Sequence, residues 1–448
     1  MIFRRIPVRT LLIIASAWAF LAAANLLLLQ LGVPLGTPRS FPISVFRGPS
    51  FHITGLPYAV AFAALLWFAS RRPGRMGVLQ ASLAGLLLIV LGNLAGGGID
   101  AAFRAPFTEG TYQYYHDAIR IESWRPWIGS FNSNQTELLM HARTHPPFAV
   151  LLHYAILELS GGRPVFLGLA FTLLAGLSLP LLYSILRSSG AGRAQGNRLI
   201  LLFAVIPAVN IYGASCLDGV ILAFSSLFLA GAASILDCTD YPPPTGVIAL
   251  CLGLLLTNML TFGGIFLLGA GGLIGIWQYL VRGRKGVLIW LAIAFLLLLA
   301  TLLGLEALLE YDHLKSFRTA CSIENPEGFR LLHAPLAYIG TRIESVCEVA
   351  LFLSLGLLAM MFHPQRSGFS WTDLRSTPTA AALSGIISLL AMLLCGAFRT
   401  GETARAALFL YPYLLLPFVQ TDQHLLRELI IFAGLQTIIM QLFGGYFW

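Results

Sequence analysis

The feature that most constrains this chain is a succession of apolar runs as long as a bilayer is thick, separated by short polar turns. The first, Leu11 to Leu31, contains no charged residue. A helix of about 20 residues spans the roughly 30 Å hydrocarbon core of a membrane. Further apolar runs, several of them shorter than that span and so expected inside the bundle or where the bilayer thins, recur near residues 56 to 70, 76 to 96, 164 to 187, 198 to 212, 217 to 236, 246 to 258, 261 to 281, 286 to 308, 348 to 362, 380 to 397, 405 to 419 and 426 to 442. Only 11% of the 448 residues are charged and 57% are hydrophobic, where a soluble domain carries about 25% charged residues. No water-soluble interior is large enough to hide that much apolar surface. The pattern predicts an all-α chain: a polytopic transmembrane helical bundle of about 13 helices, forming a single transmembrane domain over residues 1–448.

Arg4, Arg5 and Arg9 precede the first run, and Ala15-Ser16-Ala17 offers small residues, as in a secretory signal. The run nevertheless exceeds the roughly 7 to 15 residues of a signal core and lacks a cleavage site at its end. It is expected to remain as the first transmembrane helix.

The net charge is +8, but the basic residues form no stripe interleaved with aromatics, which argues against a nucleic-acid partner. They gather in short turns, and cytoplasmic loops carry such an excess. Arg71-Arg72-Arg75, Arg187 to Arg198 and Arg282 to Lys285 are therefore expected on the cytoplasmic side. That threading leaves a first large extracytoplasmic loop at 97–147 and a second at 309–347, with amphipathic helices in both. Short turns at Gly213 to Asp218 and Arg399 to Arg405 fall on the same face. The apolar stretch Pro147 to Ser160 is expected to be an embedded or interfacial helix that does not complete a crossing; a crossing there would break the positive-inside pattern once. Cys321 and Cys347 flank the second loop and either pair or remain free thiols; no metal spacing such as C-x-x-C occurs.

The first loop concentrates ionisable and aromatic side chains. In Tyr115-His116-Asp117-Ala118-Ile119-Arg120, a helical conformation places His116 and Arg120 on one face beside Asp117. In His141-Ala142-Arg143-Thr144-His145-Pro146-Pro147, the prolines impose an extended entry into an apolar helix. His141, Arg143 and His145 could there hold a phosphate by charge-assisted hydrogen bonds. The bland counterpart is a solvated loop with aromatic anchors and a helix-entry device. In the second loop, Asn325-Pro326 and Gly328 mark a turn that aims Arg330 and His333. In Gly401-Glu402-Thr403-Ala404-Arg405 the spacing lets Glu402 and Arg405 pair, and Asp218 opens another helix. Ionisable groups at membrane depth are costly and usually functional; a structural ion pair at a helix end is the competing account.

These residues resemble the GT-C superfamily of integral-membrane glycosyltransferases, which includes protein mannosyltransferases and lipid A aminoarabinose transferases. The resemblance lies in a long acidic and aromatic first outer loop ending in His145-Pro146-Pro147, in the acidic helix start at Asp218, and in Gly401-Glu402-Thr403-Ala404-Arg405 before Leu408-Phe409-Leu410-Tyr411-Pro412. It implies an inverting transfer of a sugar from a polyprenyl-phosphate donor to a lipid, glycan or protein acceptor at the extracytoplasmic face of a bacterial plasma membrane. Such a reaction needs a carboxylate base and cations for the departing phosphate. The family's catalytic acid lies early in this loop, where the nearest match is Asp100; Ala101 departs from the usual Asp-Glu pair, which leaves Asp117 as the rival base. Arg120, His141, Arg143, His145, Asp218, Arg330, His333, Glu402 and Arg405 are the candidate substrate-binding residues. No cofactor is implied, and a divalent metal remains open. The absence of G-x-x-x-x-G-K-[ST] argues against an ATP-driven pump. A transporter or flippase of a lipid-linked saccharide is the main alternative, and a polysaccharide polymerase or ligase is another.

Overall fold

The computed structural model describes residues 5–33, 35, 41–238, 242–363, 368, 370–398 and 401–446. Arg4 and Arg399, which figure in the expected topology, lie outside the described residues. The protein is all-α and polytopic. Among the described residues, nine helices are long and apolar enough to cross a membrane, and three shorter apolar helices and one bent pair accompany them. One antiparallel pairing, Phe46–Pro49 with Gly444–Tyr446, is the exception to the helical pattern.

The chain divides into two compact units. One comprises Met1–Gly98, Leu182–Ala214 and Phe329–Trp448; the other comprises Ile99–Leu181 and Ser215–Gly328. In the first unit, the Val8–Gln30 helix keeps most of its apolar surface exposed, with Asn25 its one buried residue. In water such a surface would aggregate; facing lipid tails it costs nothing.

Polar side chains in the first unit satisfy backbone groups where helices end or break. Asn197 Nδ2 donates to Pro73 O and Met76 O, both at 2.9 Å. This bond ties the basic turn after Arg71 to the basic segment before Arg198, two clusters expected on one side. The run expected as a helix over 198 to 212 is instead two helices, Arg193–Ala204 and Pro207–Tyr212. Pro207 cannot donate to the ladder, so the helix breaks ahead of it, and Asn210 Nδ2 donates to Ala204 O at the broken end, at 3.0 Å.

The helix expected from 348 begins at Pro335 and runs to Phe352. It then bends by 105° into Leu355–Met361. Hydropathy hides the part of this helix before 348 because polar Thr341, Glu344 and Ser345 lie there, all of them buried.

In the second unit, Leu217–Asp237 and Pro244–Leu260 pack backbone to backbone. A side chain added at Gly253 would strike the backbone of Phe228, and one at Gly231 the backbone of Leu250 and Gly246. Small residues permit such approach, which suits helices whose surroundings provide no hydrophobic drive for association. Pro147–Ser160 is a helix of 14 residues, about 21 Å long and shorter than the hydrocarbon core. Pro146 is extended before it and Gly161 closes it in the left-handed region.

Candidate functional site

The first loop folds against the Pro147–Ser160 helix of the second unit. Its helix Tyr114–Ala118 is five residues long and ends before Arg120, so the expected shared helical face of His116 and Arg120 does not form. What forms is a wall of rings around buried Tyr114. His141 stacks on Tyr114 at 5.6 Å, while His145 and His153 lie 5.4 and 5.1 Å away. His145 Nδ1 donates to His141 O at 3.0 Å, which fixes that nitrogen as the protonated one in the neutral ring.

Asp117 shares the Tyr114 helix and is only 4% exposed. Its Oδ2 accepts from Leu139 N–H at 3.1 Å. Burial raises its proton affinity above the usual aspartate value, and the Leu139 bond and the charges of Arg120 and His116 offset this only in part. Asp100 presents the opposite case. It is exposed, and its carboxylate is engaged by Arg104, one oxygen lying 2.6 Å from Nη2. Principally through that bond, its proton affinity falls below the usual value.

The two large loops are joined within this unit. Asn132 Nδ2 donates to Asp312 O at 2.9 Å and Asp312 N–H returns a bond to Asn132 Oδ1 at 2.8 Å. Gln135 Nε2 adds bonds to Arg143 O at 2.9 Å and Ser316 O at 3.0 Å. Arg143 is thus anchored by its backbone to the helix His313–Glu324. Asp218 stands in the first turn of Leu217–Asp237 and accepts from Cys216 Sγ at 3.4 Å.

A second cluster lies in the other unit. Glu402 and Arg405 pair at 2.7 Å, as their spacing suggests, and Arg405 is 9% exposed. The turn that carries them is unusual, because Gly401 and Glu402 both have left-handed φ, at 85° and 59°. Glu402 N–H donates to Ser44 Oγ at 2.9 Å, and Ser44 Oγ–H donates to Glu348 Oε1. Val45 N–H and Ala404 N–H also donate to Glu348, at 3.1 and 3.3 Å. Arg330 and His333 sit on the short helix Arg330–His333 in the same unit, with His333 exposed. Arg342 has a structural task. Its guanidinium donates to Leu393 O at 2.6 Å and Phe398 O at 2.7 Å, and also to Ala397 O, capping the Thr377–Leu394 helix.

No family model and no curated protein matches the sequence. Among solved structures, the crystal structure of ArnT from Cupriavidus metallidurans in the apo state aligns with 80% of this chain at 17% identity and a TM-score of 0.41. The chain spans 60% of the length of that protein.

Sequence reasoning missed Glu348, Ser44 and His153. The i, i+4 pair Glu344 and Glu348 in an apolar helix was a readable signal, since two carboxylates in such a run are costly without partners. His153 was also visible as a histidine within an apolar helix, and its ring donates Nδ1–H to Ala149 O at 2.7 Å. Ser44 had no signal, because its partners are hundreds of positions away. Cys321 and Cys347 are free thiols, as are the other four cysteines. Among the described residues, no group of three or more His, Cys, Asp or Glu could hold a metal ion.

Proposed function

We propose that this multi-pass membrane protein is an inverting glycosyltransferase of GT-C type. In this reading it moves a sugar from a polyprenyl-phosphate carrier to a lipid, glycan or protein acceptor at the extracytoplasmic face of a bacterial plasma membrane. The observation that carries the reading is Asp117, a buried carboxyl of raised proton affinity in a histidine- and tyrosine-lined loop fold of a membrane protein. A general base works best when its pKa approaches the working pH, and burial moves a carboxyl in that direction. Asp100 fits the role less well, because Arg104 stabilises its charged form.

In the proposed reaction Asp117 accepts the proton of an acceptor hydroxyl as that oxygen attacks the anomeric carbon. The bond from that carbon to the phosphate oxygen breaks, the configuration inverts, and polyprenyl phosphate leaves with the electron pair. Arg120, His141, Arg143, His145 and Asp218 are assigned to substrate. Arg330, His333 and Arg405 are the residues assigned to phosphate, with Glu402 orienting Arg405. Guanidinium and imidazolium groups suit a leaving phosphate because they match its charge and donate directed hydrogen bonds. The reaction as written uses no cofactor.

One observation favours the carrier alternative: a sharply bent helix bearing two fully buried carboxylates, Glu344 and Glu348. Interrupted helices with buried charge line many transport sites. Purified protein in liposomes with a radiolabelled polyprenyl-phosphate sugar separates the readings. Transfer of label to an acceptor, with release of polyprenyl phosphate, supports the enzyme; movement of intact donor between leaflets without release overturns it.

A further inference from the structure

The Gly401–Arg405 turn does not hold itself. Two consecutive residues in the left-handed region include Glu402, and a side chain there costs about 1 to 3 kcal/mol unless the surroundings impose the conformation. The imposition comes from the Pro335–Phe352 helix and from Ser44. Glu348 Oε2 accepts from Ala404 N–H, between Glu402 and Arg405 in the turn, at 3.3 Å. Its Oε1 accepts from Ser44 Oγ–H, and Ser44 Oγ in turn accepts from Glu402 N–H at 2.9 Å. One fully buried carboxylate therefore reaches the amides of residues 402 and 404, directly or through one hydroxyl. Gly401 completes the fit, since a side chain at that position would strike Ser44 Oγ and come within 3.3 Å of Glu344 Oε2.

The same helix also fixes the chain ahead of the turn. Tyr338 Oη donates to Leu394 O at 2.6 Å, and Arg342 caps carbonyls of the Leu393 to Phe398 stretch. The carboxylate of Glu348 accepts three hydrogen bonds and meets no guanidinium among them. This is the arrangement of a group that orders backbone rather than one that neutralises Arg405. Burying a carboxylate is expensive, and a simple cap could be made by a serine or an amide.

We propose that Glu348, acting through Ser44, is the positioning residue that sets the Glu402–Arg405 pair for phosphate binding. The proposal rests on the reading of Arg405 as a phosphate ligand. It names a residue pair outside every candidate binding motif, and it makes the geometry of the turn, rather than the charge of Arg405 alone, the determinant of donor affinity.

The test uses the full chain in detergent or nanodiscs, with Ser44→Ala, Glu348→Gln and Arg405→Ala. Hydrogen exchange resolved at the Glu402 and Ala404 amides reads the positioning without any assay of function. Ser44→Ala is expected to speed exchange at these amides while helices such as Thr377–Leu394 keep their protection. The KM for a polyprenyl-phosphate sugar is expected to rise about tenfold in Ser44→Ala, the effect of losing one hydrogen bond to a charged group, with a smaller change in kcat. That rise is expected to vanish when Ser44→Ala is placed in the Arg405→Ala background. Unchanged exchange at 402 and 404, or a KM effect that adds fully to that of Arg405→Ala, overturns the positioning role. A normal donor KM in Arg405→Ala overturns the phosphate reading instead, and the exchange data then still decide what Glu348 and Ser44 do. Glu348→Gln guards against misfolding in any one variant: it keeps an acceptor and the side-chain volume but turns an amide N–H2 toward a donor, so it should reproduce the loosened turn.

Discussion

Arg104 closes on Asp100 one helical turn earlier, with Nη2 2.6 Å from Oδ2. The pair is exposed and spends the carboxylate on a guanidinium. Asp117, buried in the same loop, accepts instead from the Leu139 amide, and burial raises its affinity for a proton. Asp117→Asn is therefore expected to lower kcat by about 10²- to 10⁴-fold, the usual worth of a general base. Asp100→Asn should stay within a few-fold of wild type. Initial-rate assays with a labelled polyprenyl-phosphate sugar check both, and loss of transfer in Asp100→Asn alone would reverse the assignment.

The pH dependence follows from the same burial. The acidic limb of the rate profile should lie above the ordinary aspartate range, because activity requires Asp117 ionised and its folded pKa is raised. Arg120→Gln removes an opposing charge and should move that limb to higher pH. Stability carries the opposite sign. A folded pKa above the unfolded one means that the fold favours the protonated carboxyl; this contribution is full below the ordinary aspartate value and is lost as pH rises through the raised one. Asp117→Asn should consequently melt above wild type at neutral pH, and the gap should close on acidification. Thermal melts in detergent across pH 3 to 8 measure it.

Much of the membrane architecture was legible because hydrophobic length is a direct physical requirement. The run at 261 to 281 is the helix Phe262–Arg282, and that at 164 to 187 is Pro164–Ser188. Pro146 and Pro147 announced a helix entry through their fixed φ, and the helix starts there. Legibility failed where a helix in a membrane protein buries polar groups against protein instead of lipid. Pro335–Phe352 looks like loop by hydropathy because Glu344, Ser345 and Glu348 lower it, yet all three are enclosed. The candidate sites show the same division. Local pairings such as Glu402 with Arg405 follow from spacing, whereas the Ser44 to Glu348 bond joins residues 304 positions apart and leaves no local trace.

Backbone contact between Leu217–Asp237 and Pro244–Leu260 makes a sharp contrast among helix glycines. Gly253→Ala places a methyl into the backbone of Phe228, and such overpacking costs about 1 to 3 kcal/mol. At Gly272, in Ile265–Arg282, nothing lies within 4 Å of an added Cβ, and alanine there should gain up to about 1 kcal/mol from helix propensity. Thermal unfolding of the two variants should shift in opposite directions. Equal shifts would mean that the two helices do not meet at Gly253.

The bend between Pro335–Phe352 and Leu355–Met361 frees backbone groups that a membrane interior cannot hydrate. Ser354 adopts a φ of 91° there, and one side chain from Gln423–Phe443 serves both broken ends. Gln436 Nε2 donates to Leu351 O at 2.9 Å and Gln436 Oε1 accepts from Leu355 N–H at 2.9 Å. An amide is the one common side chain of this length that offers a donor and an acceptor at once. Gln436→Leu removes both bonds while keeping an apolar fit, and leaving the half-buried donor and acceptor unmet should cost up to about 1 to 3 kcal/mol for each. Gln436→Glu retains the acceptor when ionised and loses the donor, so its stability should fall between those of wild type and Gln436→Leu near neutral pH. Chemical or thermal denaturation in detergent gives the order. If Gln436→Leu matches wild type, the bend is satisfied from within its own chain segment and the glutamine is not its brace.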